Sequence, residues 1–219
     1  MIVVRRSASE SVAQSEQIEN VLSRISEEST RLTRIAADAM QVGSALRFVD
    51  LLVMGAVKRT LNVTAGFSRL VRDEHMICAR ALLRMQVDTV VRFGALALVE
   101  DPEQFAGDVF HGASIRKLKS RSGQLLSDRY LVDQLSQIAP WLPEVYQDTS
   151  SYIHFSSTSI FAGMFRTDDA TRRADFLITA QDSGIEERVW LELARVFNLL
   201  MAALIGMVSK WADTRASSR

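Results

Sequence analysis

The chain has 219 residues, 47% hydrophobic and 24% charged, enough for one sizeable core and short for two domains. Its 26 basic and 26 acidic side chains cancel, which excludes a global field drawing it to nucleic acid or membrane, so any polyanion site is local. A single cysteine, Cys78, excludes an internal disulfide and a multi-thiolate zinc site, and fits a reducing, cytoplasmic setting.

The opening stretch MIVVRRSASE lacks the apolar core of a secretion signal. From about 9 to 40, Ile18, Val21, Leu22, Ile25, Leu32, Ile35 and Ala36 recur at three- and four-residue steps. They form one face of a long amphipathic helix, an N-terminal arm over residues 1–42. Gly43 breaks it, and a second helix is predicted from about 44 to 71. A third, from about 74 to 99, is the most apolar of its length. Leu83, Val87, Val90 and Val91 there are expected in the core. EDPEQFAG stops it, and 101–127 reads as loop plus a short helix.

Asp128 is a good N-cap for a helix to about 139, and APWLPEV turns the chain into another ending near His154. The stretch 163–184 lacks helical periodicity and suits a small hairpin or a structured loop. A last helix runs from about 185 to 212. Its run LLMAALIGMV is ten residues long, against about twenty for a membrane span, and reads as a buried bundle helix with no membrane role. The expected fold is all-α, a single-domain bundle of long helices with its core over about 44–212.

Two places carry polar groups against this pattern. Arg80, Arg84, Asp88 and Arg92 are spaced four apart and stack as a slowly drifting stripe along an apolar rod. Either this is a solvated edge, or it faces an internal groove where charges must be paired. Asp88 is then expected to pair with Arg84 or Arg92. The second place is DTSSYIHFSS, residues 148–157. A histidine at a helix end can satisfy orphan carbonyls, or move protons near neutral pH. The third helix is expected to receive His154 beside Arg84 and Asp88.

Arg116, Lys117, Lys119 and Arg121 put four positive charges into six residues, a candidate phosphate-contacting loop or an ordinary solvated one. His75 and Cys78 share a helix face, but without another soft ligand nearby Cys78 reads as a small buried hydrophobe. His111 sits in a loop without partners. No Gly-rich phosphate loop, nucleophile elbow or carboxylate pair at metal spacing is present, so neither metal nor cofactor is expected.

ARALLRMQVDTVVRF (79–93) and VYQDTSSYIHFSS (145–157) together resemble uncharacterised bacterial all-α proteins of the HEPN superfamily. Those carry an Arg-x-x-x-Glu helix and a later Tyr, then Ser-x-x-His, then Ser. The resemblance covers roughly 44–160 and places Arg84, Asp88, Tyr146, Ser151 and His154 at the family's polar positions, with Asp88 one methylene shorter than the usual Glu. It implies roles in bacterial stress or phage defence. Ribonuclease members carry Arg four to six residues before a late-helix His and cut without metal. Here those positions hold Gln147, Asp148 and Thr149. The resemblance thus leaves two classes open. One is a non-catalytic module binding RNA, a nucleotide, a partner protein or a second copy of the chain, with Tyr146, Ser151, Arg80, Arg92 and the basic loop as contacts. The other is a metal-independent ribonuclease built from His154, Arg84 and Asp88.

Overall fold

The third predicted helix, α3 (Met76–Gly94), is wrapped by four others: α2 (Phe48–Arg72), α5 (Asp128–Leu135), α6 (Leu142–Ser150) and α7 (Glu187–Ser217). Two more, α1 (Ala8–Gln41) and α4 (Pro102–Phe110), pack outside it against α2 and α7. The structure is a computed structural model describing residues 8–41, 45–150, 164–168, 171–176 and 178–217. It is 75% helical, an all-α bundle. Leu83, Val87, Val90 and Val91 are all buried, which makes α3 the central rod its apolar density predicts.

The strand pair falls within the predicted non-helical stretch. β1 (Met164–Asp168) and β2 (Arg173–Phe176) pair antiparallel, with Asp168 opposite Arg173. The segment after them returns to α3. Asp182 Oδ2 accepts the Met76 amide at 2.8 Å and the Ala180 carbonyl lies 2.8 Å from His75 Nδ1. An acid from 106 residues away thus caps the N-terminus of α3.

The long helices bury stripes of three- and four-residue period. On α2 the buried positions are Asp50, Val53, Val57, Thr60, Thr64, Phe67 and Val71, with Val63 beside them. On α7 a row of buried residues runs from Trp190 through Phe197 and Leu204 to Trp211 and Arg215. Phe67 and Phe197 stack with ring centroids 4.0 Å apart, locking α2 to α7. By length and composition α7 is long and apolar enough to cross a membrane, but its apolar stripe is what α1, α2 and α3 cover.

Two stripes carry a charge at their ends. Asp50 is 0% exposed and Arg215 2%, and they form an ion pair through Asp50 Oδ2 and Arg215 Nη1. Trp211 Nε1 donates to Asp50 Oδ1 at 2.9 Å, the Arg47 amide donates to Oδ2 at 2.9 Å, and Arg215 Nε donates to the Ala39 carbonyl at 3.0 Å. One carboxylate therefore joins the start of α2 to the last turns of α1 and α7. With their C-terminal ends together, α1 and α7 run in parallel, and α2 runs back beside them to place Arg72 on Glu19 at 3.0 Å.

Several local expectations change. EDPEQFAG opens a helix as well as closing one: Asp101 Oδ1 accepts the Glu103 and Gln104 amides at 2.9 and 3.0 Å, with Pro102 in the first turn. The cap of α5 is Ser127, whose Oγ accepts the Tyr130 amide, leaving Asp128 for other work. His111 has partners, since Nδ1 lies 2.7 Å from the Gly107 carbonyl and its ring meets Phe48 edge-on. Cys78 is exposed, because α3 turns its buried face to Met76 and Ala79 on either side. It is not a core hydrophobe.

Burial alone would raise the Asp50 pKa, but the Arg47 amide, Trp211, the Arg47 side chain and the Arg215 charge outweigh it, and the net shift is below the ordinary 3.8. A depressed carboxylate contributes stability above the unfolded value, lost as pH falls through the folded one. Asp50→Asn should therefore cost roughly 3–5 kcal/mol at pH 7, the range for breaking a buried pair. That cost should shrink below about pH 3.8, the unperturbed value. Urea melts from pH 7 to 3 check this; a constant or widening gap would contradict it.

Candidate functional site

The fourfold spacing of Arg80, Arg84, Asp88 and Arg92 places them along one side of α3, and the flanking helices meet each of them. Arg92 Nε donates to Asp88 Oδ1 at 2.6 Å, and Arg92 Nη2 lies 2.9 Å from Asp128 Oδ1 on α5. Arg59, from α2, reaches Asp88 Oδ2 at 3.9 Å and donates through Nε to Thr89 Oγ1 at 2.9 Å. On α6, the Tyr146 hydroxyl donates to Asp128 Oδ2 at 3.2 Å while the Arg84 guanidinium lies over its ring, 3.9 Å from the centroid. Arg80 meets Asp148 of α6 at 3.1 Å.

Arg59, Asp88, Arg92, Asp128, Tyr146 and Arg84 thus form one continuous polar chain across four helices. It is neither a solvated edge nor a dry core. Asp88 and Arg92 are 32% and 23% exposed, and two carboxylates are shared among three arginines in contact, leaving one positive charge in excess. Burial works against the charge of Arg92, but the Asp88 hydrogen bond and the charges of Asp88 and Asp128 outweigh it and raise its pKa. Burial, then the Asp128 charge, raise that of Tyr146 against the pull of Arg84. Tyr146 therefore remains a protonated donor across the neutral range. The partner of Asp88 is Arg92, joined by Arg59; Arg84 is taken by Tyr146.

Beside this chain, α2, α3 and α4 line an open cavity of about 540 Å³. Its walls are apolar, with Leu52 and Ala56 from α2, Phe93 from α3 and Val109 and Phe110 from α4, and its polar end is Arg59, Asp88 and Arg92. A small-molecule site has this form, an apolar concavity with a few convergent polar groups. Small residues make the room: a Cβ at Gly55 would meet nothing within 4 Å.

The other predicted residues divide. Ser151 and His154 lie outside the described residues. The described part of α6 ends at Ser150, two residues after Asp148, which pairs with Arg80. In the basic loop, Arg116 and Lys117 sit exposed in a 3₁₀ turn (Ile115–Lys117), and Lys119 bridges to Leu125. Arg121 serves the backbone instead. Its Nη2 donates to the Ala97 and Val99 carbonyls at 2.5 and 3.3 Å, satisfying the turn that follows α3. Among the described residues no group of three His, Cys, Asp or Glu could hold a metal.

Arg59 and Asp128 are the members that sequence pattern missed. Asp128 reads as a cap from its position alone. Arg59 carries a signal in hindsight, since it neighbours Thr60, a polar residue on the buried stripe of an otherwise apolar helix.

Asp88→Ala should cost about 1–2 kcal/mol in thermal or urea unfolding, between the ranges for exposed and buried pairs because the site is half open. A negligible loss would return the stripe to a solvated edge. For Tyr146 the neutral phenol stabilises the fold below pH 10.0, its ordinary value, a contribution lost as pH rises through the folded value. The absorbance titration of wild type minus Tyr146→Phe should therefore show a phenol ionising above 10.0; one ionising at or below it contradicts the arrangement.

Comparison of the chain with family models, curated proteins and solved structures returns no significant match. The HEPN-like resemblance therefore rests on the sequence stretches 79–93 and 145–157 alone.

Proposed function

We propose that the chain is a non-catalytic, HEPN-like helical module that binds a nucleotide in the cavity between α2, α3 and α4. The observation that carries this reading is the pairing of an apolar cavity of about 540 Å³ with a cationic end. A base offers flat faces to Leu52, Ala56 and Phe110, and its phosphate meets Arg59, the most exposed member of the chain at 44%. Arginine suits that role because its planar fork pairs with phosphate oxygens. Of the partners the sequence allowed, a nucleotide fits a pocket of this size best. Asp88 holds Arg59 and Arg92 in place, and the pairing of each carboxylate with arginine argues for positioning over proton transfer.

A ribonuclease is the second reading, and one observation favours it. The Arg84 Nη1 atom is buried without a hydrogen-bond partner among the described residues, next to Tyr146 of α6. Against it, the positions where ribonuclease members carry arginine hold other side chains here, of which Thr149 is buried and Asp148 is bound to Arg80.

Calorimetric titration with adenosine and guanosine monophosphates tests the first reading. Saturable binding, weakened roughly tenfold in Arg59→Gln, is expected, since a hydrogen bond to a charged group is worth about 1.5–3 kcal/mol. Absent binding, or binding indifferent to Arg59, overturns it. Cleavage of a short RNA by wild type, abolished in a folded His154→Ala variant, would instead establish the nuclease.

A further inference from the structure

A second cavity, of about 620 Å³, lies on the other side of Phe93 from the first, between the starts of α2 and α4 and the end of α7. Its apolar lining includes Leu96, Met207 and Trp211. Five charged side chains surround it: Arg47, Asp101, Glu103, Arg121 and Lys210. Formally they sum to one positive charge, but their engagements differ.

Both acids are committed to helix ends. Asp101 caps α4, and Glu103 accepts the Phe48 and Val49 amides of α2 at 2.7 and 3.1 Å. Arg121 is committed to the carbonyls that follow α3. That leaves Lys210, exposed and meeting no carboxylate among the described residues, and the remainder of Arg47, whose Nη2 is held by Asp50 at 3.4 Å while its Nε has no hydrogen-bond partner among the described residues. An apolar pocket whose unspent polar capacity is cationic selects an anion with an apolar body.

We infer that this cavity binds a medium-chain aliphatic carboxylate, its head on Lys210 and Arg47 and its tail against Leu96, Met207 and Trp211. The occupant also sits on the Asp50–Trp211–Arg215 junction, so binding tightens the closure of α2 on α7. The inference is independent of the nucleotide reading, since it uses a different cavity and different cations.

Titration calorimetry with sodium octanoate, against octan-1-ol as the neutral isostere, tests it. Saturable one-site binding of octanoate is expected, with octanol far weaker. Lys210→Gln, a change at an exposed position, should weaken octanoate roughly tenfold, and Arg59→Gln should leave it unchanged. In the same samples the Trp211 indole N–H resonance should shift on saturation. No saturable binding, octanol binding as tightly, indifference to Lys210→Gln, or a response to Arg59→Gln each overturns the site.

Discussion

Asp50 and Arg215 are 165 positions apart in the chain and both are removed from water. Taking two charges out of solvent costs several kcal/mol each, repaid only by close contact and full hydrogen bonding. Here Arg47, Trp211 and the Ala39 carbonyl supply that bonding. Three long helices can then meet at one point in only one register. Sliding α1, α2 or α7 by a turn would leave a carboxylate or a guanidinium buried and alone. The apolar stripes provide the driving force for packing, and this junction selects which packing forms.

The same rule governs α3, at lower stakes. A helix covered by four others has little solvent-facing edge, yet α3 carries three arginines and an aspartate in its last four turns. Each of its neighbours α2, α5 and α6 brings a polar side chain to meet them. The resulting chain is half open, so it neither stabilises like the buried pair nor dissolves into the surface. Alongside it the small residues of α2 leave space between the helices, and a cavity results. Positioning by a fixed, paired frame is a property of recognition sites as much as of catalytic ones.

Much of this was legible in the sequence because it is periodic. The elements from α1 to α7, the centrality of α3 and the non-helical excursion near 163–184 all follow from spacing and from Gly and Pro punctuation. The pairing of Asp88 with Arg92 was legible because both lie on one helix. What was not legible is long-range. Asp50 occupies the first position of the buried stripe that continues through Val53 and Val57, and Arg215 extends the stripe of Val208 and Trp211, one turn beyond the predicted helix end near 212. A polar residue on an apolar period was the available signal, but its partner lies on another helix and no local pattern names it. Arg59, Asp128 and the capping of α3 by Asp182 were hidden in the same way.

A co-crystal structure with adenosine monophosphate tests most directly the proposed binding of a nucleotide on the frame of α3, in the cavity between α2 and α4. The base should lie between Ala56 and Phe110, with the phosphate within hydrogen-bond reach of Arg59 and the Asp88–Arg92 pair intact. A phosphate held instead by Arg116 and Lys117, or beside Arg84 at the end of α6, would contradict it.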